Sequence, residues 1–512
     1  MRVTFLGHAG MYVETEGGTV LCDPWFTPAH FGSWFPFPRN DGLEPARFSS
    51  PDYLYVSHLH RDHFDPAWLA AHVDKGAKVL LPAFELDHLE RALRQLGFTE
   101  LVRTEHGKPV RLGKLDVAIL AYTAPADGPV GDSVLVLADA TARILNQNDA
   151  HPRDLHELEA LGPFDAHFTQ FSGAIWYPMV YDFAAEEKLR IGIGKRADQM
   201  ERARHYLRDL RAPHLFPVAG PPCFLDDDLF ALNDLDGDPS NIFPDQLVFL
   251  EELERAGLPG GQLLVPGSVA MLVDGSCRVE QPTGDAAPDA IFRDKRATLG
   301  RYRDDWRDWL LREHASWPSA CTDVVGALAA WWEPLLDIAP LTRAGVGAPV
   351  LLHVGDVGVL IDFPAGRVRE WKGEAVSCRI DTERALVESC IERRVEDWVS
   401  ELFLSCRFRA HRHGAYNEYL YTFFKCLSVE RMVYCEGHYA TRSERGDETF
   451  RAGDYLIQKR CPHLRADLER FGQVEGGTLK CMVHHWRFEL ETGRCLTSDD
   501  DEHRLRTVRI RT

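Results

Sequence analysis

Short apolar runs, separated by polar turns and by helical stretches, fill the first part of the chain up to residue 279. Runs of this kind, bounded by Gly, Pro and polar residues, predict buried strands. Apolar residues recur at helical spacing over Pro66–Val73 and Lys195–Leu210, which predicts helices. The alternation predicts an α/β domain over residues 1–279, ended by a polar linker at Glu280–Asp289. The predicted strands are Val3–Leu6, Thr19–Leu21, Tyr53–Val56, Lys78–Leu81, Ser133–Leu137 and Arg143–Leu145.

The pattern changes after the linker. Leu299–His314 has helical spacing, Val350–Phe363 predicts two strands joined by a Gly-Asp turn, and Thr382–Arg407 is rich in helix signals. We therefore predict an α+β middle domain over residues 290–442. Beyond it, over residues 443–512, short strands alternate with turns and predict an all-β domain. The middle domain is rich in aromatic residues, which favours a packed core over a ligand box: Trp331, Trp332, Trp371, Trp398, Tyr416, Tyr419 and Tyr421.

Composition narrows the class of partner. The chain has 512 residues with 45% hydrophobic and 27% charged residues, which is typical of a globular protein with several domains. A net charge of −20 argues against nucleic acid or an anionic membrane as the main partner, although a local basic pocket can still bind an anionic substrate. We find no basic and apolar leader segment and no apolar run of membrane-spanning length, so we expect a cytoplasmic protein with reduced cysteines.

Two cysteine–histidine loops lie near the C-terminus: Cys461-Pro462-His463 and Cys481-Met482-Val483-His484. Each loop offers one thiolate and one imidazole, which is what a Rieske [2Fe–2S] centre needs, with two thiolates on one iron and two imidazoles on the other. A structural Cys₂His₂ zinc site is the alternative, but zinc sites rarely pair these two spacings across such a gap. The loops resemble those of Rieske proteins of the ferredoxin or oxygenase type, because Leu464 and Val483 replace the extra cysteines of the respiratory type.

A second metal motif, Ser57-His58-Leu59-His60-Arg61-Asp62-His63, follows the predicted strand Tyr53–Val56. It resembles the His-x-His-x-Asp-His signature of the metallo-β-lactamase fold. Alternate residues at a strand end bring His58 and His60 onto one metal, and the following turn points Asp62 and His63 at a neighbouring position. The alternative is a group of solvated histidines at a helix N-terminus.

The resemblance implies further residues. Other members of the fold use a bridging Asp after a later strand, and Asp149 is the candidate here. His8 follows an opening strand similar to that of ascorbate-6-phosphate lactonase and N-acylphosphatidylethanolamine phospholipase D, so it is either catalytic or a packing residue. The hydrolases supply further histidines near residues 123–132 and 215–220, which are absent here unless Asp127 or His151 substitutes for one. A site with fewer imidazoles and open positions suits a mononuclear non-haem iron better than two zinc ions.

A Rieske motif and a metallo-β-lactamase motif in one chain resemble CMP-N-acetylneuraminic acid hydroxylase. There the Rieske domain precedes the metal domain, whereas here it closes the chain, so the resemblance implies the reaction class and leaves the substrate open. Weaker similarity covers His8–Met11, Asp23–Trp25, Ile144–Asn146, Phe171–Gly173, Tyr177–Met179, Pro217–Gly220, Pro266–Gly267 and Trp398–Phe424.

The function implied is that of a Rieske-dependent non-haem iron monooxygenase. It would hydroxylate a small polar substrate, such as an N-acyl or amino group of a sugar or nucleotide sugar, with O₂ and with electrons from a reductase or ferredoxin. Cys461, His463, Cys481 and His484 would hold the cluster, and some of His58, His60, Asp62, His63 and Asp149 the iron. Two alternatives stay open: a metal-dependent hydrolase or lactonase with a regulatory Rieske domain, and an electron carrier. The oligomeric state, including a homo-oligomer, is also open.

Overall fold

The computed structural model of the protein describes residues 1–124, 128–173, 175–282, 287–318, 321–441, 448–498 and 503–510. Its N-terminal part contains two sheets. The strands are β1 (Arg2–Gly7), β2 (Gly10–Thr15), β3 (Gly18–Cys22), β4 (Tyr53–Tyr55), β5 (Lys78–Leu81), β6 (Leu101–Arg103), β7 (Val110–Leu112), β8 (Leu115–Ala124), β9 (Gly128–Ala138), β10 (Arg143–Asn148), β11 (Ala166–Gln170), β12 (His214–Val218), β13 (Val269–Val273) and β14 (Ser276–Glu280). The helices are α1 (Pro66–His72), α2 (His88–Gln95), α3 (His156–Leu161), α4 (Ala185–Leu210) and α5 (Gln246–Arg255).

The two sheets pack face to face. One has eight strands in the order β14-β13-β1-β2-β3-β4-β5-β6, and the other has six in the order β12-β11-β10-β9-β8-β7. Side chains from both sheets, such as Phe5, Ile119 and Phe168, form a fully buried core between them. Helices α1 and α2 cover the outer face of the first sheet, and α4 and α5 cover that of the second. The predicted α/β metallo-β-lactamase-like sandwich is thus confirmed.

Strand directions determine where the metal motif lies. Strands β3 and β4 are parallel, and β1 runs in the same direction because β2 is antiparallel to both β1 and β3. The carboxyl ends of β1, β3 and β4 therefore meet at one edge of the sheet. His8, Asp23 and the segment His58–His63 follow these three strand ends, so side chains far apart in sequence converge there.

A five-stranded sheet in the order β17-β16-β15-β18-β19 and the helices around it form the middle part. Trp332 and Trp398 pack with ring centroids 5.0 Å apart in its core. Among the described residues no single helix is long and apolar enough to cross a membrane, and one bent pair of helices, Val324–Asp337 with Pro340–Val346, passes by length and composition only. The elements are α6 (Ala290–Arg293), α7 (Lys295–Ser316), α8 (Val324–Asp337), α9 (Pro340–Val346), β15 (Pro349–Val354), β16 (Val357–Asp362), β17 (Arg367–Glu370), β18 (Cys378–Thr382), α10 (Arg384–Glu392), β19 (Phe408–Arg412), α11 (Glu418–Lys425) and α12 (Val429–Thr441).

Two three-stranded sheets, β20-β21-β25 and β22-β23-β24, form the C-terminal part. They pack against the sandwich, because Ile457 and Phe471 share a buried cluster with Met200 and Tyr206 of α4. The predicted all-β Rieske fold is confirmed. Its elements are β20 (Thr449–Ala452), β21 (Tyr455–Gln458), α13 (Leu468–Phe471), β22 (Gly472–Glu475), β23 (Thr478–Cys481), β24 (Arg487–Glu489) and β25 (Thr507–Arg509).

Three expectations from the sequence differ from the structure. Helix α4 begins at Ala185 rather than at Lys195. The sequence prediction began too late because Gly192 and Gly194, which disfavour a helix, interrupt the apolar pattern of the first turns. The Thr382–Arg407 stretch contains one short helix and a π turn, and it lies between two adjacent strands of the middle sheet. Of the aromatic residues assigned to the core, Tyr416 and Tyr421 line a cavity.

Candidate functional site

The turn after β4 brings the predicted metal ligands together. The ring of His58 lies 4.3 Å from that of His60 and 4.2 Å from that of His63, measured between centroids. Asp149 follows β10 in the second sheet, and its Oδ1 lies 3.4 Å from Nε2 of His63. One site at the sheet edges thus includes all five residues predicted to hold the metal.

The side chains fall into two adjacent groups, each with three donor atoms within 4.8 Å of one another. His58, His60 and Asp149 form one group, and His8, Asp62 and His63 form the other. His8, predicted as a catalytic or packing residue, is buried, with Nε2 2.9 Å from Oδ2 of Asp62. The geometry favours ligation as its role and offers donors for two ions, where the sequence favoured one.

Buried polar atoms test whether these residues fit a metal. Among the described residues, no hydrogen-bond partner reaches Nε2 of His58, Nε2 of His63, Oδ1 of Asp62 or Oδ1 of Asp149. Leaving such atoms buried and unsatisfied is costly, and a cation removes that cost. Burial, together with the neighbouring His63 and His60, holds the pKa of His58 well below its usual range, so its imidazole is neutral and able to bind a metal at neutral pH. The residues fit a metal centre.

Asp23 orients one of these histidines. It follows β3, and its Oδ1 accepts a hydrogen bond from the backbone N–H of Ser57 at 2.7 Å. Its Oδ2 lies 3.1 Å from Nδ1 of His63. A carboxylate behind a metal-binding imidazole fixes the tautomer and the ring orientation. The Asp23-Pro24-Trp25 segment was visible in the sequence, but its spacing gave no sign of this role.

His30 is a site residue that the sequence analysis missed. It lies in the loop between β3 and β4, is 1% exposed, and has Nε2 3.7 Å from Oδ1 of Asp62. Neither of its ring nitrogens has a hydrogen-bond partner within the described part of the chain. No metal-ligand spacing surrounds it, since its neighbours are Ala29 and Phe31. Only the folded loop reveals it.

The middle domain closes the metal site from one side. Oγ of Ser400, in the π turn, lies 3.0 Å from Nε2 of His60 and 2.8 Å from Oδ2 of Asp397. Burial, with Lys425 nearby, lowers the pKa of His60 to about 3. The imidazole is therefore a neutral group between the metal site and the middle domain.

Asp127, one suggested substitute for the missing histidines, lies outside the described residues. His151, the other, belongs to neither of the two donor groups. Its ring lies 6.3 Å from that of His484, between centroids, and it follows Asp149 by two residues. The loop after β10 therefore contacts both the metal site and the Cys/His loops.

The two C-terminal loops also converge. Cys461 and Cys481 are buried, in contact with each other, and each accepts backbone N–H groups from its own loop. The rings of His463 and His484 lie 5.0 Å apart and nearly perpendicular. Two adjacent thiols beside two adjacent imidazoles are the donor set of a Rieske [2Fe–2S] cluster. Cys495 is buried outside both loops.

Residues outside the motif support His463. Its ring stacks on Trp486 at 4.1 Å, and its Nε2 lies 3.7 Å from Oε2 of Glu418. Glu418 is fully buried in the middle domain, and the same oxygen lies 2.9 Å from Nε2 of His503. A carboxylate from α11 thus lies 3.7 Å from a predicted cluster ligand, whereas Asp23 lies at hydrogen-bond distance from His63. Neither Glu418 nor His503 lies in the Cys/His loops, so neither was predicted from the sequence.

One cavity connects the two sites. It has a volume of about 820 Å³ and is lined by residues of all three domains. His58, His60, Asp62 and Asp149 line it from the sandwich, and His463 and His484 from the C-terminal domain. The cavity therefore gives a small molecule access to both sets of metal-binding residues.

Three family models match the chain. They are a Beta-lactamase superfamily domain over residues 2–173, an Rv3818-like, SCP2-like domain over residues 324–441, and a Rieske [2Fe-2S] domain over residues 432–509. The Rieske match means that the chain carries a [2Fe–2S] cluster.

Solved structures of similar fold include Igni18, a metallo hydrolase from Ignicoccus hospitalis, with a TM-score of 0.33 and 18% identity over 52% of this chain and 96% of that one. CmlA, a diiron beta-hydroxylase from Streptomyces venezuelae, has a TM-score of 0.35 and 17% identity over 55% of this chain and 54% of that one. The resemblance to CMP-N-acetylneuraminic acid hydroxylase is not confirmed by these matches and stays a prediction.

Full-length relatives also exist. A protein of Mycolicibacterium smegmatis, named provisionally as a Rieske 2Fe-2S iron-sulfur protein, is 46% identical over 521 residues, covering 99% of this chain and 100% of its own. A protein of Mycobacterium tuberculosis with the same provisional name is 45% identical over 518 residues, with coverage of 99% and 100%. The chain therefore belongs to the family of Rieske 2Fe–2S iron–sulfur proteins that these two relatives represent.

Proposed function

We propose that the protein is an O₂-dependent, Rieske-coupled non-haem iron oxygenase that hydroxylates a small organic substrate. The observation that supports this best is the shared cavity, because the His/Asp metal site and the Cys/His cluster loops line the same space. A Rieske cluster supplies single electrons, and iron with open coordination positions uses such electrons to activate O₂. A hydrolase metal needs only an activated water and has no use for an electron donor.

The chain's own residues have three tasks in this proposal. His58, His60, Asp62, His63, Asp149 and His8 hold the metal, and Asp23 fixes the orientation of His63. Glu418 supports His463 on the cluster side. The residues that enclose the cavity hold the substrate near the metal and keep bulk water away.

Electrons have to come from a partner. The sequence has no Gly-rich dinucleotide fingerprint after a strand, so we propose a separate ferredoxin or flavin reductase that uses NAD(P)H. The substrate class suggested by the sequence, an N-acyl or amino group of a sugar or nucleotide sugar, belongs to this proposal, as do a cytoplasmic location and the domain limits 1–279, 290–442 and 443–512.

Isotope labelling tests the proposal. Incubation with reductant, reductase and substrate candidates under ¹⁸O₂ is expected to give a product that gains one labelled oxygen, while incubation in H₂¹⁸O under ordinary air gives little label. Label from water alone, or full turnover without oxygen, contradicts the proposal.

A metal-dependent hydrolase with a regulatory Rieske domain is the second candidate. Two donor groups side by side favour it, since a two-ion site suits hydrolysis. So does the partial similarity to a UPF0173 metal-dependent hydrolase of Aeropyrum pernix, 26% identical over 187 residues, which covers 33% of this chain and 72% of that protein. Metal analysis separates the candidates: iron in excess of the cluster's roughly two atoms supports the oxygenase, and zinc beside the cluster supports the hydrolase.

A further inference from the structure

The wall of the shared cavity differs from one end to the other. The carboxylates that line it, Asp62, Asp132 and Asp149, all lie at the metal end. Away from the metal, aromatic rings form much of the wall: Trp176 stacks with Tyr421 at 6.1 Å and lies 5.6 Å from Phe403, between centroids. A ligand in the cavity therefore meets an aromatic surface as well as the metal site, which suits an apolar or aromatic body.

Four cationic side chains line the same cavity: Lys425 lies near His60 at the metal end, and the others are Lys195, Arg202 and Arg412. Lys195 projects from α4, and Arg412 ends β19. Within the described part of the chain neither forms an ion pair with a carboxylate. The acidic residue that influences the pKa of Lys195 is Asp198, and this residue is paired with Lys480.

Arg412 is held by aromatic rings instead. Its guanidinium lies 5.4 Å from the ring centroid of Tyr177 and 5.6 Å from that of Tyr181. Its Nε is buried and has no hydrogen-bond partner among the described residues. A guanidinium fixed by stacking, on a side chain that lines the cavity, is well suited to bind an oxyanion.

Arg202, which also lines the cavity, has a different task. Nη1 of Arg202 donates to the carbonyl oxygen of Val483 at 3.2 Å and lies 3.1 Å from Nε2 of His485. Arg202 thereby attaches the second Cys/His loop to α4. Lys195 makes no such contact, so holding the cluster loop does not account for a lysine at this position.

From this arrangement we infer that the cavity binds an organic anion, in which an apolar or aromatic body lies on the ring-lined wall and an acidic group pairs with Lys195 or Arg412, two cations of the wall without a carboxylate partner among the described residues. A cation facing a cavity without a counter-ion is stabilised by any anion that enters, and the low dielectric of the enclosed site strengthens the pairing. The inference deepens the proposed function, because it rests on this cavity being the substrate site. It also explains how a chain of net charge −20 can bind an anion.

A matched pair of probes tests the charge requirement. 8-Anilinonaphthalene-1-sulfonate and N-phenyl-1-naphthylamine have the same aromatic body and differ in the sulfonate. Equilibrium dialysis against the full-length protein with its cluster is expected to show at least about tenfold tighter binding of the sulfonate, the effect of one charge-assisted hydrogen bond. Equal affinity for the two probes overturns the inference.

Variants then locate the anion. Lys195→Met, Arg412→Met or both are expected to weaken sulfonate binding about tenfold and to leave the neutral probe unaffected, and Lys195→Arg is expected to retain binding. Lys188→Met, on the same helix and away from the cavity, is the matched control. An unchanged cluster absorption spectrum shows that each variant is folded. Unchanged sulfonate binding in both Met variants, even with an altered cluster spectrum, overturns the inference.

The binding result is independent of turnover. A selective, Lys195-dependent sulfonate site in a protein that incorporates no label from ¹⁸O₂ supports the anion site and contradicts the oxygenase. Labelled product together with equal affinity for the two probes supports the oxygenase and contradicts the anion site.

Discussion

The cluster loops and the metal site are two histidine-rich centres built in opposite ways. All four predicted cluster ligands lie within residues 461–484, on two loops of one small domain. The metal donors come from the ends of β1, β4 and β10, with His30 from a long loop and Ser400 from another domain beside them. A local site can be recognised from spacing, whereas a dispersed site can be recognised only at its one local segment.

The two centres nevertheless share a supporting device. In each, a buried carboxylate from outside the motif contacts a predicted ligand: Asp23 contacts His63, and Glu418 contacts His463. Such partners orient the imidazole and raise its basicity. Folding supplies this shell in both cases, because neither carboxylate lies at a motif spacing.

Loss of a cluster ligand is expected to have the largest effect. Cys481→Ser should lose the brown colour, the electron paramagnetic signal of the reduced cluster and about two irons per chain, because each iron needs all its protein ligands. Cys495→Ser, a buried cysteine outside both loops, is the control that should retain all three. Iron and acid-labile sulfide analysis checks the result, and a fully loaded Cys481→Ser protein would contradict the ligand assignment.

His63→Ala is expected to separate the two centres. It should lose the N-terminal metal and reduce turnover by about 10³-fold or more, because His63 is close to both Asp62 and Asp149. The Rieske spectrum should persist, since the cluster loops lie in another domain. His72→Ala, at the exposed end of α1, should change neither metal content nor activity. Full activity in His63→Ala means that this metal centre is a scaffold.

The ligands that these two experiments remove, Cys481 and His63, could both be predicted from the sequence alone. The Cys/His loops and the His58–His63 segment were predictable, because ligand spacing on a loop or at a strand end is local. Asp149 was found because a family resemblance pointed to the end of a later strand. His30, Asp23 and Glu418 were not identified as site residues, because their roles depend on which strand ends and helices meet in space.

Removing the supporting carboxylates is expected to have an intermediate effect. Asp23→Asn should weaken metal binding at the N-terminal site about 10- to 100-fold without changing the cluster. Glu418→Gln should destabilise the reduced or oxidised cluster without changing metal binding at the N-terminal site. Metal titration monitors the first variant, and cluster lifetime and reduction potential monitor the second. If either variant alters both centres equally, the two supporting shells are not independent.

The region between the centres gives a pH-dependent test. Burial, with Arg202 nearby, lowers the pKa of Lys195 to about 8. The ammonium is therefore present below pH 8 and lost above it, so affinity for the sulfonate probe should be highest near pH 7 and fall up to about tenfold by about pH 9. Dialysis with both probes across this range measures it, and the neutral probe should show no change.

The groups around Lys195 support this assignment. Burial holds the pKa values of His151 and His485 well below the usual range, so both imidazoles stay neutral throughout the titration. The charged neighbours are Arg202 and the ion pair of Asp198 with Lys480. Lys195→Met should abolish the pH dependence, and its persistence in that variant would assign the titration to another group.

The smallest expected effect concerns how the cluster domain is attached. Arg470 of α13 donates from Nε to Oδ2 of Asp209 at 2.6 Å and also pairs with Glu159, so it connects the C-terminal domain with two helices of the sandwich. It is 21% exposed, and partly solvated ion pairs contribute little. Arg470→Ala should therefore lower the free energy of unfolding by only about 1 kcal/mol and leave the cluster spectrum unchanged, with a smaller loss at high salt. Arg487→Ala, an exposed arginine of the same domain, is the control for urea denaturation. A loss of several kcal/mol would show that the attachment depends on this ion pair more than on the apolar contact between Phe471 and Tyr206.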